Sequence, residues 1–309
     1  MSDPGEAGNG RARRPVTQIS AGIARTASDL LAEEVPVAVH YDGEPFAVMM
    51  ASPGDLEDFA YGFSLTEGRA NPADIVDIEV RTVLEGLLLD IRTRNPVPAG
   101  AIPERLLPGR SGCGICGNRM LEDVVKRPAP VSDGVAIEVA ALEAALAALQ
   151  DRQPLNVATG ATHAAAWASP DGTLMLVRED VGRHNALDKL IGAMVRDGID
   201  PALGFALVTS RASYEMVTKA AVAGIGLLAA ISAPTALAVD LAHDCGLTLV
   251  GFVRPGRQVI YSHPHRLPTS PVGATSVATE SLAGNPSEDV SVATHVAPTA
   301  PDRGQDAAE

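Results

Sequence analysis

The sequence predicts an α/β protein with two regions, an α+β region followed by a layered α/β region. From residue 138 onward, short apolar segments such as FALVTS and LLAAIS alternate with segments of helical periodicity. This alternation is typical of a mostly parallel sheet covered by helices on both faces. The hydrophobic fraction is 46% and the aromatic fraction only 3%, so a sizeable core is expected to consist mainly of Ala, Val, Leu and Ile.

The first region, residues 16–108, is predicted to combine two strand pairs and one helix. Residues 35–50 indicate two strands around an Asp42-Gly43 turn, and IVDIEVRTV and LLLDIR indicate two more. Between them, residues 53–67 place Leu56, Phe59, Ala60 and Phe63 on one helical face, with Ser52 as the expected N-cap and Pro53 in the first turn.

The second region, residues 121–267, is predicted to alternate strand and helix. Helices are expected over 138–150, 184–196, 213–223 and 235–244. Strands are expected near 162–168 and 173–178 and in FALVTS, LLAAIS, LTLVGFV and RQVIY. In parallel sheets, ligands bind beyond the carboxyl ends of the strands, so polar residues at those ends are candidate site residues.

Both ends of the chain are predicted to be disordered. Residues 1–15 are rich in Gly, Arg and Pro and indicate a disordered arm. Residues 268–309 are dominated by Ser, Thr, Pro, Ala and acidic residues without apolar periodicity, and indicate a disordered acidic tail.

The charge balance excludes some classes of partner. The chain has 24 basic and 38 acidic residues, a formal net charge of −14. Nucleic acids and anionic membranes are therefore not expected as partners, since both are bound through Lys and Arg. The N-terminal segment lacks the apolar stretch of a secretory signal and no apolar run reaches membrane-spanning length, so a cytoplasmic location is expected.

A glycine-flanked cysteine pair, Arg110-Ser111-Gly112-Cys113-Gly114-Ile115-Cys116-Gly117, carries the clearest chemical signal. Residues 109–120 are predicted to form a mobile loop, in which Cys113 and Cys116 are the candidate catalytic residues. Two thiols at this spacing can form a disulfide, share a metal or carry a persulfide. No metal site is predicted, because a structural zinc site needs four ligands and no second Cys-x-x-Cys exists. The remaining Cys245 is expected to be a buried, inert thiol.

Polar residues crowd four strand ends and predict a site for a phosphate-bearing ligand. Arginine and hydroxyl groups suit phosphate, and Glu215 could accept a hydrogen bond from a base or sugar. Simple helix caps and an exposed hairpin turn are the alternative explanations for these residues. The candidate ligand residues are His163, then Arg178, Asp180, Gly182, Arg183, His184 and Asn185, then Ser210, Arg211 and Ser213, and finally Phe252, Val253, Arg254, Pro255, Gly256 and Arg257.

Several long stretches resemble one protein family, the formate dehydrogenase accessory sulfurtransferases (FdhD). The matching stretches are MMASPGDLEDFAYGFSLTEG, SGCGICG, HAAAW, LVREDVGRHNALDKLIG, TSRASYEMVTKAAVAGI, AAISAPTALAVDLA and GLTLVGF, which lie within residues 35–266. None of them is a short generic pattern, so together they are specific.

The resemblance implies a function, a cargo and a set of partners. Members of this family take sulfur from a cysteine desulfurase as a Cys persulfide, here on Cys113 with Cys116 as its companion. They pass the sulfur to a molybdenum bis-guanine-dinucleotide cofactor before it enters the formate dehydrogenase apoenzyme, and Phe252 to Arg257 correspond to a cofactor contact. The resemblance further implies a homodimer and a second region with a cytidine-deaminase-like, three-layer α/β/α fold. Deamination itself is not implied, because His163 is followed by Ala164 and Ala165 rather than by the glutamate of zinc deaminases.

Two other functions remain open from the sequence. A non-catalytic chaperone that binds the cofactor and docks to formate dehydrogenase would have the same pocket without needing the cysteine pair. A zinc-bound interaction module would contain stoichiometric zinc and lose it when the cysteines are replaced.

Overall fold

The computed structural model describes residues 10–96 and 127–268. These residues contain a two-stranded sheet, a four-stranded sheet and a six-stranded sheet, in one compact unit. The strands are β1 Arg11–Ser20, β2 Ile23–Ala32, β3 Val35–Tyr41, β4 Glu44–Ala51, β5 Ile75–Val83, β6 Gly86–Thr93, β7 His163–Ala168, β8 Leu174–Asp180, β9 Phe205–Val208, β10 Leu227–Ala230, β11 Thr248–Arg254 and β12 Arg257–Ile260. The helices are α1 Leu56–Thr66, α2 Val139–Gln150, α3 Pro154–Thr159, α4 Arg183–Arg196, α5 Tyr214–Val222 and α6 Ala236–Asp244.

The four-stranded sheet has the order β4-β3-β6-β5 and packs one face against α1. Asp42 and Gly43 both have positive φ, 54° and 83°, and form the tight turn predicted between β3 and β4. The apolar face predicted for the helix is correct, because Leu56, Phe59, Ala60 and Phe63 are all buried in the core of this region.

The six-stranded sheet has the order β12-β11-β10-β9-β7-β8. Only the β9–β10 and β10–β11 pairs are parallel, whereas the β7–β8, β7–β9 and β11–β12 pairs are antiparallel. The prediction of a mostly parallel sheet is therefore wrong. Short turns join β7 to β8 and β11 to β12, and strands joined by so few residues must pair antiparallel.

Helices cover both faces of the six-stranded sheet, as the strand–helix alternation predicted. Alternate strand residues such as Ala206 and Val208 pack under α4, α5 and α6, whereas Phe205 and Leu207 face α2. This two-sided burial explains why the central strands are continuously apolar rather than alternating.

A backbone-to-backbone contact between α1 and α4 joins the two regions. A Cβ atom on Gly62 would overlap the carbonyl oxygen of Asp188, and one on Gly192 would overlap that of Asp58. Helix axes can approach this closely only where neither chain carries a side chain. The two glycines therefore fix the position of α1 against α4.

A buried charged cluster beside this contact ties α5 to the same pair of helices. The Lys219 ammonium donates to both carboxylate oxygens of Asp188, at 3.0 and 2.9 Å, and to Thr66 Oγ1 at 2.9 Å. Glu67 Oε1 lies 3.1 Å from the same nitrogen. Burial would lower the pKa of Lys219, but the two carboxylates outweigh it and raise that pKa, so the ammonium stays charged.

Two predictions about the N-terminal part are corrected, and one helix of the second region is added. Residues 11–15 are not disordered but form the first half of β1, because Ala21 and Gly22 at positive φ turn the chain back into β2. Helix α1 begins at Leu56 with Asp55 as its N-cap, and Ser52 does not cap it. The short helix α3 was not predicted.

The remaining predicted boundaries fall outside the described residues. Residues 1–9, the segment 97–126 that contains the 109–120 loop and the 108/121 boundaries, and the tail from 269 onward all lie there. Within the part of the chain that is described, no helix is long and apolar enough to cross a membrane.

Replacing Gly192 by alanine is expected to destabilise the protein by about 3 kcal/mol, because the added methyl forces α4 away from α1. Gly54 is the matched control, since a Cβ there meets nothing within 4 Å. Chemical denaturation of both variants measures the free energy of unfolding. Equal stability of the two variants would contradict the close helix contact.

Candidate functional site

One edge of the six-stranded sheet gathers the predicted ligand segments. Strands β8, β9, β10 and β11 all end at this edge, and β7 begins there, because β7 runs antiparallel to both of its neighbours. His163 accordingly pairs with Asp180 across β7 and β8. The turns that follow β8, β9 and β11 hold the remaining predicted residues, so segments almost a hundred residues apart meet at one place.

The turn from β8 into α4 is built around a buried carboxylate rather than a ligand. Asp180 is fully buried and accepts hydrogen bonds from the backbone N–H groups of Ser52 and Gly182, at 3.0 and 2.8 Å, and from Asn185 Nδ2 at 3.1 Å. Lys189 Nζ, also fully buried, lies 2.7 Å from Asp180 Oδ2. The Asp180 carboxylate has no exposed atom and is engaged inside the protein, and its ligand role stays a prediction.

Three other predicted ligand residues, on β8 and at the start of α4, also hold the fold together. Asn185 Nδ2 donates to the Met50 carbonyl oxygen at 2.8 Å and so ties α4 to β4. Arg178 lies earlier on β8, and its Nε donates to Asp58 Oδ2 on α1 at 2.7 Å. Gly182 is the buried N-cap of α4, whose backbone N–H is taken by Asp180. These three residues position the site without facing it.

A group of basic side chains does lie at the sheet edge. The half-buried His163 has its pKa lowered first by burial and then by the charges of Arg183 and His184, with Asp180 acting in the opposite direction. His184 Nε2 lies 2.7 Å from Glu215 Oε2, although the ring N–H does not point along that line. His163, Arg183 and His184, which we call the sheet-edge basic residues, are thus close enough to sense one another electrostatically.

The turn from β9 into α5 contributes hydroxyl groups and one exposed arginine. Ser210 is buried and its Oγ donates to the Arg211 carbonyl oxygen at 3.0 Å, whereas the Arg211 side chain is exposed. Ser213 is the N-cap of α5, but its hydroxyl does not cap the helix. That hydroxyl oxygen is buried without a hydrogen-bond partner among the described residues. The first turn of α5 therefore presents backbone N–H groups that no side chain caps, an arrangement that favours an anion.

The turn from β11 into β12 is the predicted Pro-Gly turn. Arg254 Nη1 donates to the carbonyl oxygens of Ile231 and Val253, and Gly256 N donates to Glu143 Oε1 on α2 at 3.0 Å. Val253 is fully buried in the core, and its ligand role stays a prediction. The exposed residues of the turn are Phe252, Arg254, Pro255, Gly256 and Arg257.

The comparisons with known proteins match nearly all of the described chain. A model of the FdhD/NarQ family matches residues 32–268. The chain belongs to the FdhD/NarQ family. A protein named "Sulfur carrier protein FdhD" from Xanthomonas campestris pv. campestris (strain B100) is 56% identical over 257 residues, which cover 82% of this chain and 91% of that protein.

More distant relatives agree with this assignment. A protein of the same name from Bordetella petrii is 49% identical over 260 residues, covering 83% of this chain and 94% of that protein. A crystal structure described as a formate dehydrogenase accessory protein from Desulfotalea psychrophila superposes with a TM-score of 0.66 and 25% identity, over 83% of this chain and 99% of that one. The FdhD resemblance and the mixed α/β fold are thereby confirmed.

The cysteines divide between the described and undescribed parts of this FdhD/NarQ chain. Cys113 and Cys116 lie outside the described residues, so their catalytic role stays a prediction. Cys245 is buried at the end of α6, and burial raises the pKa of its thiol, as expected for an inert cysteine. Among residues 10–96 and 127–268, no group of three His, Cys, Asp or Glu side chains is placed to hold a metal ion.

Sequence reasoning missed Ser52 and Lys189 as residues that position the site. Ser52 Oγ accepts from the Val181 N–H at 3.1 Å, and its carbonyl oxygen accepts from Lys189 Nζ at 3.0 Å. Asp188 and Lys189 lie side by side among the apolar residues of α4. Two adjacent charged residues in such a segment indicate buried ion pairs.

Replacing Lys189 by methionine is expected to lower the free energy of unfolding by about 3–5 kcal/mol, because Asp180 then loses its partner inside the protein. The double variant Asp180→Asn/Lys189→Met should recover part of this loss. The control is Arg92→Met, which breaks an ion pair to Asp77 in which both side chains are about half exposed and should cost about 1 kcal/mol or less. Urea denaturation measures all three, and similar losses for Lys189→Met and Arg92→Met would show that the buried pair has no special role.

Proposed function

We propose that this chain is a cytoplasmic sulfurtransferase that accepts sulfur on Cys113 from a cysteine desulfurase. It delivers the sulfur to the molybdenum of a bis-guanine-dinucleotide cofactor destined for formate dehydrogenase. The family and the names of the relatives support sulfur carriage. The observation that carries the cofactor part of the proposal is the sheet edge, where cationic side chains and an uncapped helix N-terminus come together.

The chemistry of the sheet edge fits a cargo with phosphates and guanine bases. Arg183, one of the sheet-edge basic residues, supplies positive charge, and Arg211 and Arg257 add exposed guanidinium groups on neighbouring turns. Backbone N–H groups at the start of α5 are suited to a phosphate, and the buried Ser213 hydroxyl is a further donor. Glu215, in the first turn of α5, can accept hydrogen bonds from the N–H groups of a guanine base.

The proposed uptake of sulfur is a balanced exchange of one S–S bond for another. The Cys113 thiolate attacks the outer sulfur of the persulfide on the desulfurase, and the desulfurase cysteine leaves as a thiolate. No atom is oxidised or reduced in the net exchange, because the transferred sulfur stays bonded to a thiol sulfur.

Delivery to molybdenum requires two electrons, because a sulfido ligand is more reduced than persulfide sulfur. The Cys116 thiolate supplies them by attacking Cys113 Sγ, so that a Cys113–Cys116 disulfide forms and hydrosulfide leaves. The hydrosulfide replaces an oxo ligand of the bound cofactor, and the oxo group leaves as water with one proton from solvent. A dithiol reductant of the cytosol then regenerates both thiols.

Three finer features belong to the same proposal. The chain acts as a homodimer, its second region is of the cytidine-deaminase-like class, and it docks to the formate dehydrogenase apoenzyme. The layered sheet with helices on both faces supports the second of these, and the resemblance of the sequence supports all three.

Incubation with a cysteine desulfurase and cysteine is expected to add the mass of at least one sulfur atom to the peptide that contains Cys113. Cys113→Ala should abolish this addition, whereas the matched control Cys245→Ala should leave it unchanged because Cys245 is buried. Intact and peptide mass spectrometry measures both. If Cys113→Ala still activated formate dehydrogenase in cells lacking the native protein, the chain would act as a cofactor chaperone instead.

Guanosine diphosphate, used as a fragment of the cofactor, is expected to bind more tightly as the pH falls from about 8 to about 6. Burial and the charges of Arg183 and His184 lower the pKa of His163 in the free protein, which favours its neutral form; a bound phosphate offsets those positive charges, raises that pKa and favours proton uptake. Calorimetric titration in two buffers of different ionisation enthalpy measures the protons taken up.

His163→Gln should flatten this pH dependence, and Arg211→Ala should weaken binding about tenfold or more at every pH by removing a charge-assisted contact. Arg81→Ala, an exposed arginine on β5, is the control and should leave affinity unchanged. A pH dependence that survives unaltered in His163→Gln would place the phosphates away from the sheet edge.

A further inference from the structure

The β1–β2 hairpin, residues 11–32, projects from the protein as an arm. All ten residue pairs of the two strands are in register, from Arg11↔Ala32 to Ser20↔Ile23. At about 3.4 Å per residue the arm is about 34 Å long. Its base is anchored by the Glu33 N–H, which donates to the Gly10 carbonyl oxygen at 2.8 Å, and by contact of Gly10 with Leu155 on α3.

Most of the arm is uncovered on both faces. Ile19 and Ile23, beside the turn at the tip, are each 73% exposed, and Leu31 on the same strand as Ile23 is 41% exposed. An isolated two-stranded sheet is marginally stable in water and normally requires another layer to cover its apolar side chains. The exposed apolar side chains of the arm therefore indicate that another surface covers them.

The arm also differs from the rest of the chain in its charge, and nearly all of it lies outside the segment that matches the family model. It carries four arginines, Arg11, Arg13, Arg14 and Arg25, against the single Asp29, whereas the whole chain has a formal net charge of −14. The match to the FdhD/NarQ family model begins at residue 32, where the arm ends. The arm is thus a basic extension on an acidic protein.

An open cavity of about 650 Å³ lies beside the base of the arm. Its lining includes the apolar Pro154, Leu155 and Val177, the acidic Asp55, Asp151 and Glu179, and the basic Arg11 and Arg152. The same short helix α3 exposes Val157, which is 75% accessible. An apolar tip with one arginine, Arg25, complements this lining.

We propose that the arm binds a second copy of this chain, and that the tip of each arm occupies the cavity at the base of the other arm. An arm about 34 Å long cannot fold back to fill the cavity at its own base. Across a twofold axis, however, two antiparallel arms place each tip beside the other base, so one contact repeated twice fills both cavities. Arg25 at each tip then lies near the acidic residues of the other copy's cavity. This inference rests on the homodimer of the proposed function and assigns the residues that form it.

The test uses the full-length chain and the double variant Ile19→Asp/Ile23→Asp. Both side chains are exposed in the single chain, so folding should be unaffected, which circular dichroism checks. Analytical ultracentrifugation should show a dimer for the unaltered protein and a dimer dissociation constant at least about a hundredfold larger for the variant, because four apolar side chains leave the interface. Leu84→Asp, at an apex that is 96% exposed between β5 and β6, is the control and should not change the constant.

Other outcomes overturn the proposal in distinguishable ways. A monomeric unaltered protein would refute both the arm contact and the homodimer. A dimer whose dissociation constant is the same in the double variant would leave the homodimer intact and place its interface elsewhere. Sulfur loading of the same samples by a cysteine desulfurase reports separately on the carrier function, so failure of the arm contact does not decide that function. Hydrogen exchange of the arm amides, slower at high than at low protein concentration, is the expected supporting result.

Discussion

The contact between Gly62 on α1 and Gly192 on α4 is the constraint on which the rest of the molecule depends. The helices run antiparallel, and the same pair is tied at one end by Asp58, which accepts from Arg178 and Arg196, and at the other by the Thr66–Asp188 hydrogen bond. A wider separation of the two helices would break the Thr66–Asp188 hydrogen bond and pull Arg196 away from Asp58, so these polar contacts require the close approach of the backbones. The two glycines therefore set the distance between α1 and α4, and the ion pairs make any other distance energetically unfavourable.

This arrangement explains why the first region of the chain matters for a site that lies in the second. The turn from β8 into α4 carries Arg183 and His184, but its shape is held from outside by Ser52 and the Met50 carbonyl at the end of β4. Lys189 and Asp180 lock the same junction from within. The sheet edge is thus a rigid support for the basic side chains that it carries, as a ligand site would require.

The sequence predicted the positions of helices and strands better than it predicted which residues contact one another. Periodicity located the helices and the Asp42-Gly43 hairpin because those features depend on residues close in the chain. Periodicity could not show that Asp180 is buried while Arg211 is exposed. Asp180 is held inside the protein partly by a hydrogen bond from the Ser52 N–H, and Ser52 is 128 positions away along the chain. Periodicity misjudged β7 and β12 for a similar reason, because strand direction depends on turn length as well as on apolar content. The arm escaped notice because its Ala21-Gly22 turn lacks the Asn or Asp that usually marks such hairpins.

An acidic protein that holds an anionic cargo must separate its charges by position. Lys189 and Lys219 are paired with buried aspartates, so neither ammonium group is available to a ligand at the surface. The basic residues at the sheet edge are His163, Arg183, His184 and Arg211, with Glu215 as a nearby acidic group. Charges farther away than about 8–10 Å are screened at physiological salt, so distant acidic residues act weakly on a ligand held at this edge. The net charge of −14 and the proposed phosphate site at the sheet edge are therefore compatible.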